Sequence, residues 1–514
     1  MDENVVYNPP DPNNPATPPV DGVAEPLTAD QTADPEGQTP TDQATESTDQ
    51  PATDAANTTT EGAIEEEAPP PIVGFLGGIM GGGLLKKLLI GVGVVILLTF
   101  VIILLLPKGK AQEQAVTLQW WGLWEDANTM QPILDDFHKS HPNITVQYVK
   151  EDPGQYNDQL QARMQNGNGP DIFLYHNSWL PMLSGDLSPL PSSVITPDQF
   201  KQIYYPVMQQ DLVQNGAIYG IPMEADSLAL FVNPALFEAA GVQVPATWDD
   251  FVKAATKLTV KDQSGKIKTA GAALGTYNNV THAPDIISML FLQQGVQMNN
   301  IAASAQNESG AFQFYTSFAT GGQNAVWDGT LDNSELTFSK GTLAMYFGFS
   351  WDVFQIQQLN PNLQFKIYPV PNLYGKKTTV ASYWVNGVSA KSAHQTEAME
   401  FMQYLAQKST AQEIYTQTAK VRAFGEPYPR KDLQQSLQEN QLIYPFVSQL
   451  NDAGSSYFAS DTDDGQTGIN TEMNTYMQTA INSIINGGGS PDSAASDLNN
   501  GVAQVLQKYG QVQQ

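Results

Sequence analysis

The sequence predicts an α/β protein with at least two lobes, preceded by a disordered tail and one transmembrane helix. Three observations lead to this prediction: an acidic first segment rich in Pro and Thr, a single long apolar run, and a remainder in which strand and helix patterns alternate. Such alternation is typical of a doubly wound sheet. Since about 400 residues exceed what one hydrophobic core encloses, we expect this remainder to form two lobes or more.

Residues 1–83 are the predicted tail. The segment is rich in Pro, Thr, Asp, Glu, Gln and Ala, has no Lys or Arg, and has few large apolar side chains. Such a composition buries too little apolar surface to offset the entropy that is lost on folding. We therefore expect the tail to be disordered.

The apolar run predicts a membrane anchor over residues 84–107. No residue from Leu88 to Leu106 is charged. At about 1.5 Å per residue the run spans roughly 28 Å, close to the hydrocarbon thickness of a bilayer. A cleaved signal peptide ending at Ala111 is the alternative, but the run is longer than a typical signal core and follows a long acidic segment. Lysines flank both ends equally, so their charges do not orient the helix: Lys86, Lys87, Lys108 and Lys110.

From Ala115 onward, the hydrophobic pattern is that of alternating strands and helices. Strands are predicted in "VTLQWWGLW", "NITVQYVKED" and "PDIFLYH", and the helices between them in "NTMQPILDDFHKSHP" and "GQYNDQLQARMQNGNG". Longer amphipathic helices follow in "TWDDFVKAATKLT", "AMEFMQYLAQKSTAQEIYTQ" and "NTEMNTYMQTAINSIING". This order favours a doubly wound first lobe followed by a second lobe with more helix.

Composition excludes several classes of function. The chain has no Cys and a formal net charge of -29. Without Cys there are no disulfides, no thiol catalysis and no Cys-based zinc site. A strongly acidic surface repels nucleic acid. Nucleotide-binding, hydrolase and metalloprotease motifs are missing from the sequence, and His138 and His141 lack partners for a metal at their predicted helix end. We therefore expect no cofactor, no metal and no nucleic-acid partner.

Six segments, in order, resemble the extracellular solute-binding proteins of ABC importers, the sugar-type group that includes maltose-binding protein. The longest is "GAIYGIPMEADSLALFVNPALFEAAGVQVPATWDDFVKAATKLT". The others are "GNGPDIFLYHNSW", "FSKGTLAMYFGFSW", "IYPVPN", "SAHQTEAMEFMQYLAQKSTAQEIYTQ" and "INGGGSPDSAASDLNNGVAQVL". The resemblance covers residues 115–514, whereas the tail and anchor depart from the family pattern. It implies a periplasmic-binding-protein-like fold, with two α/β lobes, a hinge, and the ligand between the lobes.

By this resemblance, the solute-binding domain over residues 112–514 has discontinuous lobes. Lobe one is expected to comprise about 115–226 and 369–419, and lobe two about 227–368 and 420–514. The stretch "IYGIPMEADSLALFVNPALF" matches the first crossing between them. It has the pattern of a buried strand, yet Pro222, Glu224 and Asp226 do not suit a central strand. We therefore expect residues 222–227 to form a partly solvated hinge whose carboxylates face the cleft.

The ligand is expected in the cleft, near the carboxyl ends of strands, where α/β proteins bind ligands. Sugars present apolar faces ringed by hydroxyl groups, so a sugar site needs aromatic side chains and planar hydrogen-bonding groups. Trp351 is the best stacking candidate, with core packing as its alternative. Alternation places one of Tyr383 and Trp384, and one of Trp120 and Trp121, in the core. The candidate ligand residues are Trp124, Glu125, Asp126, Tyr175, Asn177, Trp179, Glu224, Asp226, Trp351, Tyr383, Trp384 and Arg422.

The predicted function is that of a membrane-anchored receptor, not an enzyme. It would capture a carbohydrate, expected to be an oligosaccharide, and deliver it to the subunits of an ABC permease. We expect a monomer, with the tail in the cytoplasm and the binding domain outside. Three alternatives stay open: a glycan-active enzyme that uses Glu125 and Glu224, a binding protein for peptides or polyamines, and a sensor that signals without import.

Overall fold

The computed structural model describes residues 84–105, 115–298, 301–460 and 462–510. The chain divides into two compact units, Met1–Leu106 and Pro107–Gln514. The predicted tail, residues 1–83, lies outside the described residues.

Helix α1, Leu84–Leu105, is the first described element. Its side chains are described for residues 87–101, and all of them are exposed. The hydroxyl of Thr99 donates to the carbonyls of Val95 and Ile96, both at 2.9 Å, so this polar group is satisfied within the helix. Among the described residues, no helix combines the length and the apolar character that crossing a membrane requires.

All strands among the described residues lie in the second unit. They are β1 Val116–Gly122, β2 Ile144–Lys150, β3 Ile172–His176, β4 Leu187–Ser188, β5 Val213–Gln214, β6 Ala217–Ile218, β7 Ile221–Pro222, β8 Asp226–Ser227, β9 Ala229–Val232, β10 Val260–Lys261, β11 Ile267–Thr269, β12 Met345–Gly348, β13 Lys366–Tyr368, β14 Ala381–Ser382 and β15 Trp384–Ser389.

The helices of the same unit lie between and after these strands. They are α2 Ala127–Ser140, α3 Tyr156–Gln165, α4 Leu180–Leu183, α5 Pro197–Ile203, α6 Pro206–Leu212, α7 Pro234–Ala240, α8 Trp248–Leu258, α9 Ala283–Gln294, α10 Ala305–Thr320, α11 Ser334–Ser339, α12 Asp352–Leu359, α13 Gln395–Leu405, α14 Lys408–Thr418, α15 Tyr444–Ser448, α16 Ile469–Gly487 and α17 Pro491–Lys508. Short 3-10 helices are Pro153–Gln155, Asn177–Trp179, Ile301–Ser304, Gly322–Asn324, Lys431–Leu437 and Leu450–Asp452.

The first lobe is built on a six-stranded sheet. Its strand order is β2-β1-β3-β15-β4, with β7 paired to β15. Strands β1, β2 and β3 are parallel, and β15 returns antiparallel to β3 from a distant part of the chain. Trp120 and Trp121 are both buried, although alternation places only one of them in a core. Both are buried because helices cover both faces of a parallel sheet.

The second lobe is built on a smaller antiparallel sheet, with strand order β12-β9-β13. All four residues of β9 are buried. Helix α10 packs against α9 and against the C-terminal helices α16 and α17. The two sheets therefore belong to separate lobes.

The puzzling stretch from Ile218 to Phe237 is the first chain crossing between the two sheets. Strand β7 belongs to the six-stranded sheet and β9 to the three-stranded sheet, while β8 between them pairs with β14 in a ribbon of two strands. The expectation of a partly solvated hinge is wrong for its carboxylates, because Glu224 is 6% exposed and Asp226 is 1% exposed. Packing from both sides explains this burial: the amides of Met223 and Ala225 donate to Trp384 and Pro427.

Candidate functional site

A cavity of about 510 Å³ lies between the two sheets. Trp124 follows β1 and His176 ends β3 on the side of the six-stranded sheet, while Ser350 and Trp351 follow β12 on the side of the three-stranded sheet. The cavity is lined by Trp124, His176, Glu224, Asp226, Ser350, Trp351, Phe354, Gln355, Ser382, Trp384, Arg422, Phe424, Glu426, Pro427, Ser460 and Thr462. Its size and mixed lining are typical of a pocket for a small organic ligand.

Half of the candidate ligand residues line this cavity. They are Trp124, Glu224, Asp226, Trp351, Trp384 and Arg422. Glu125 is not in the wall; its carboxylate lies behind the wall, 3.2 Å from the Arg422 guanidinium. The structure therefore brings together candidates that are up to some three hundred positions apart in sequence, as a site between two lobes requires.

The other candidates lie outside the cavity wall. Asp126 is on the surface, 2.7 Å from the Lys150 ammonium. Tyr175 is fully buried, and its hydroxyl donates to the carbonyl of Tyr219. Tyr383 is also fully buried, because alternation along the chain turns it away from Trp384.

The remaining two candidates, Asn177 and Trp179, form hydrogen bonds away from the cavity. The hydroxyl of Tyr383 donates to Asp211 over 2.6 Å, and the amide of Asn177 donates to the same carboxylate over 3.1 Å. The indole of Trp179 donates to Asn470 over 2.8 Å. Trp179 also packs edge-on against Trp384, at 5.2 Å between ring centroids. Asn177 and Trp179 thus lie behind the residues that line the cavity and support them.

Aromatic rings cover opposite parts of the wall. Trp124 is 41% exposed and meets Trp384 edge-on, at 5.4 Å between ring centroids. On the other lobe, Trp351 stacks on Phe349 at 4.4 Å with 15° between the ring planes. Stacking of this kind fixes the orientation of the Trp351 ring, which lines the cavity.

A buried ion-pair cluster forms one end of the cavity. The Arg422 guanidinium lies 2.6 Å from Glu426 and 3.2 Å from Glu125, and its cation sits over the Phe354 ring at 5.2 Å. Burial and the hydrogen bond to Glu426 raise the pKa of Glu125 to about 8, against the opposing effect of Arg422. Burial acts to raise the pKa of Glu426 as well, but Arg422 outweighs it and holds that pKa below its ordinary value. Near neutral pH the cluster is therefore an ion pair beside a protonated Glu125.

The crossing carboxyls are bound by backbone amides. Glu224 accepts from the Trp384 amide over 2.7 Å. Asp226 accepts from the Ser227 amide over 2.7 Å and from the Ser350 amide over 2.8 Å. Burial raises the pKa of Asp226 to about 8 despite these bonds, and burial, with the nearby charges of Glu426 and Asp226, raises the pKa of Glu224 well above its ordinary value.

Sequence reasoning missed several residues of the wall. His176 is one: its ring nitrogens contact Ser178 and Ser382 at 2.6 and 3.0 Å, and burial lowers its pKa to about 3, so it is neutral. Two others could have been found from their spacing in the sequence. Gln355 lies four positions after the candidate Trp351, and Glu426 lies four positions after the candidate Arg422. Ser460 and Thr462 had no such signal, because they reach the cavity from a loop without regular structure.

The described part of the chain offers no site for a metal. Within it, no group of three His, Asp or Glu side chains is placed to hold an ion. His138 contacts the carbonyl of Ile144, and His141 lies 4.0 Å from Glu400. What the cavity does offer is apolar ring faces, carboxyls and hydroxyls, which suit the binding of a polar organic molecule.

The sequence matches a known family. The model of the family "Bacterial extracellular solute-binding protein" matches residues 121–412. A multiple sugar-binding protein of Streptococcus mutans is 24% identical over 322 residues, which are 60% of this chain and 74% of that one.

Solved structures agree in fold. The sugar-binding protein MalE from Xanthomonas citri superposes with a TM-score of 0.61 at 20% identity, covering 76% of this chain and 98% of that one. A cyclo/maltodextrin-binding protein complexed with maltotetraose gives 0.60 at 19% identity, covering 77% and 99%. At such identities the similarity establishes the two-lobed fold and not the ligand.

Proposed function

Because this chain belongs to the bacterial extracellular solute-binding proteins, of the sugar type that serves ABC transporters, we propose that it captures an oligosaccharide in its interlobe cavity and delivers it to an ABC permease. The resemblance stated from the sequence is confirmed at the level of the family. The solute, the delivery step and the membrane anchor are the proposed parts.

The cavity between the lobes is the observation that carries the proposal. Ring faces of Trp124 and Trp351 approach it from opposite lobes, and carboxyl and hydroxyl groups lie around them. Sugar rings present apolar C–H faces and peripheral hydroxyls, which match such a wall. The similar proteins named above are described as binding sugars, which favours the same class of ligand here.

The chain crossings support a mechanism of closure. A ligand that contacts both lobes favours the closed arrangement, because only there are all of its contacts made. We assign lobe one to about 115–226 and 369–419 and lobe two to about 227–368 and 420–514. On that assignment the lobes move about three short crossing segments, in the manner of a hinge.

Membrane anchoring by residues 84–107 is part of the proposal. It rests on the sequence, where the uncharged run continues to Leu106, beyond the residues 87–101 whose side chains the structure describes. Apolar side chains exposed on every side of α1 are consistent with lipid as their surroundings. The family operates outside the cell, so the binding domain is assigned to the extracellular side and the tail to the cytoplasm.

Of the alternative functions, a glycan-active enzyme is the one that the structure supports least. Such an enzyme needs two carboxyls facing the substrate, and the pair expected for it, Glu125 and Glu224, does not do so, because Glu125 lies behind Arg422 and outside the cavity wall. Family and fold are those of binding proteins.

The test is a binding screen on the full chain in detergent, with neutral and charged oligosaccharides, peptides and polyamines. At 100 times its dissociation constant, a ligand adds about 2.7 kcal/mol to stability and raises the unfolding midpoint by several degrees. A shift with oligosaccharides supports the proposal. A shift with peptides or polyamines alone overturns it, and release of a hydrolysed product from any glycan makes the protein an enzyme.

A further inference from the structure

We infer that the carbohydrate bound in this cavity carries a positively charged amino group, which lies against the Glu224 and Asp226 carboxylates while its ring stacks on the tryptophans of the wall. The inference rests on the proposed function, since it specifies which class of carbohydrate the same cavity takes.

Carboxyl groups outnumber cations in the wall. Glu224, Asp226 and Glu426 line the cavity, and among the described residues that do so Arg422 is the only Lys or Arg. Arg422 already has its own partners: the Glu426 carboxylate at 2.6 Å, the Glu125 carboxyl group at 3.2 Å, and the Phe424 carbonyl, which accepts from its Nε at 3.1 Å. It is therefore not available to balance Glu224 and Asp226 as well.

The hydrogen bonds of Glu224 and Asp226 leave both of them room for a ligand. Glu224 accepts one backbone bond, from Trp384, whereas Asp226 accepts hydrogen bonds from the backbone amides of Ser227 and Ser350 and a side-chain hydrogen bond from Ser350. An ionised carboxyl has about four acceptor positions. Closure of the lobes removes water from these groups, and a buried carboxylate without a cation is strongly disfavoured. A ligand ammonium supplies the missing cation.

Aromatic rings near the carboxyls suit the same ligand. The faces of Trp, Tyr and Phe attract cations within about 6 Å as well as apolar sugar faces. Trp124 is 41% exposed, and Trp351 is partly exposed on the other lobe. An amino sugar uses both properties at once, because its ring stacks and its ammonium meets the carboxylates. An acidic sugar would be repelled, and a linear polyamine has no ring to stack.

Proton release is a measurable consequence. Burial raises the pKa of Asp226 to about 8 and that of Glu224 well above its ordinary value, so burial favours the protonated form of both groups in the ligand-free cavity. The groups that act on them are Glu426, Arg422 and Asp352, with Glu125 behind Arg422 and with His176, which burial keeps neutral.

An approaching ammonium lowers the pKa of a carboxyl. Binding of an amino sugar therefore releases protons, and its affinity increases as the pH rises from about 5 to about 7. A neutral sugar lacks that effect.

The test is calorimetry on the full chain with matched sugars. Each pair has an amino sugar and its neutral hydroxyl counterpart, as monosaccharides and as oligomers: glucosamine with glucose, and galactosamine with galactose. Titrations near pH 6 in two buffers of different ionisation enthalpy count the protons that are released. We expect the amino member to bind at least about tenfold more tightly, with about one proton released.

Equal or tighter binding of the neutral member, without proton release, overturns this inference and leaves the proposed function intact. If no carbohydrate binds at all, the proposed function fails with it. Glu224→Gln and Asp226→Asn should each abolish most of the preference and most of the proton release. The control is Glu308→Gln, a carboxyl buried in α10 that does not line the cavity. The comparison of amino and neutral sugars in two buffers uses the wild-type protein alone. It therefore decides the question even if a variant does not fold.

Discussion

The indole nitrogen of Trp179 lies 2.8 Å from the side-chain oxygen of Asn470 and donates a hydrogen bond to it. Trp179 follows strand β3 of the six-stranded sheet, and Asn470 is the second residue of helix α16, which the proposed division places in the other lobe. The hydroxyl of Ser178 donates to the same oxygen over 3.0 Å, and Asn470 is fully buried. On that division, a buried polar junction joins the two lobes beside the cavity.

Replacing Asn470 by Leu should loosen this junction. The Trp179 indole would be left buried without a partner, at a cost of about 1–3 kcal/mol. We expect a lower unfolding midpoint and, in solution scattering of the ligand-free protein, a larger radius of gyration. Asn474→Leu is the matched control, since Asn474 lies one turn later and donates to Ala459. Identical midpoints and radii for the two variants would contradict a role of Asn470 in joining the lobes.

Trp351 tests the sugar-stacking wall. Its side chain is partly exposed and lines the cavity. Trp351→Ala should lower carbohydrate affinity by about tenfold or more, because it removes a stacking face, and should change the apo midpoint little. Trp327→Ala is the contrast: Trp327 is fully buried and its indole donates to Thr276, so its loss should cost about 3–5 kcal/mol of stability. If Trp351→Ala destabilises the protein as much as Trp327→Ala, Trp351 is a core residue.

Arg422 tests the ion-pair cluster. Arg422→Met leaves Glu426 and Glu125 buried beside the cavity without their cation. Breaking a buried pair costs up to about 3–5 kcal/mol, and we expect the lower end, since the Arg422 side chain is 22% exposed.

The loss should depend on pH. Without Arg422, burial raises the folded-state pKa of Glu426 above its unfolded value, so the penalty is present at about pH 7 and becomes smaller as the pH falls towards about 4, where the carboxyls begin to be protonated. Urea denaturation at the two pH values measures this. The double variant Arg422→Met with Glu426→Gln should recover most of the stability at neutral pH. A penalty independent of pH would mean that lost packing, not charge, is responsible.

Much of the fold was predictable because its signals are local. Hydrophobic periodicity identified β1, β2 and β3 and the helices between them, and the unusual Pro222, Glu224 and Asp226 marked the crossing between the sheets. Burial of those two carboxyls was not predictable. It depends on backbone groups of Trp384 and Ser350, which reach the crossing from distant parts of the chain.

The residues of the candidate site were likewise predictable only where their signal is local. Positions that follow a strand, such as Trp124 and Trp351, reach the cavity. For neighbouring residues at the start of a strand, the face of the sheet to which the side chain points decides its role. Trp384 points to the cavity and belongs to its wall, whereas Tyr383 points to the core. Trp179 faces Asn470, 291 positions away, and a partner at that distance has no local signal.

Topology of the chain can be tested on intact cells. If residues 84–107 form an uncleaved anchor with the tail inside, protease added outside should remove the globular part and spare an N-terminal tag. Membrane vesicles that expose the cytoplasmic side should lose the tag instead. Release of the globular part as a protein beginning near Gln112 would mean that the apolar run is a cleaved signal. A protected globular part in intact cells would reverse the orientation.

Glu125 should make stability fall as the pH rises. Its pKa is raised from an ordinary value of 4.5 to about 8 by burial and by the hydrogen bond to Glu426. A carboxyl with a raised folded-state pKa contributes its full stability below the unfolded pKa, and this contribution is lost as the pH approaches the folded-state pKa.

The variant Glu125→Gln does not titrate, and its amide can still donate to Glu426. The variant should match wild type near pH 5 and exceed it by up to a few kcal/mol near pH 8, measured as urea denaturation midpoints. Glu238→Gln, at an exposed position, should show no such trend. A variant that is less stable than wild type by the same amount at both pH values would show that Glu125 is ionised in the folded protein and that Arg422 outweighs its burial.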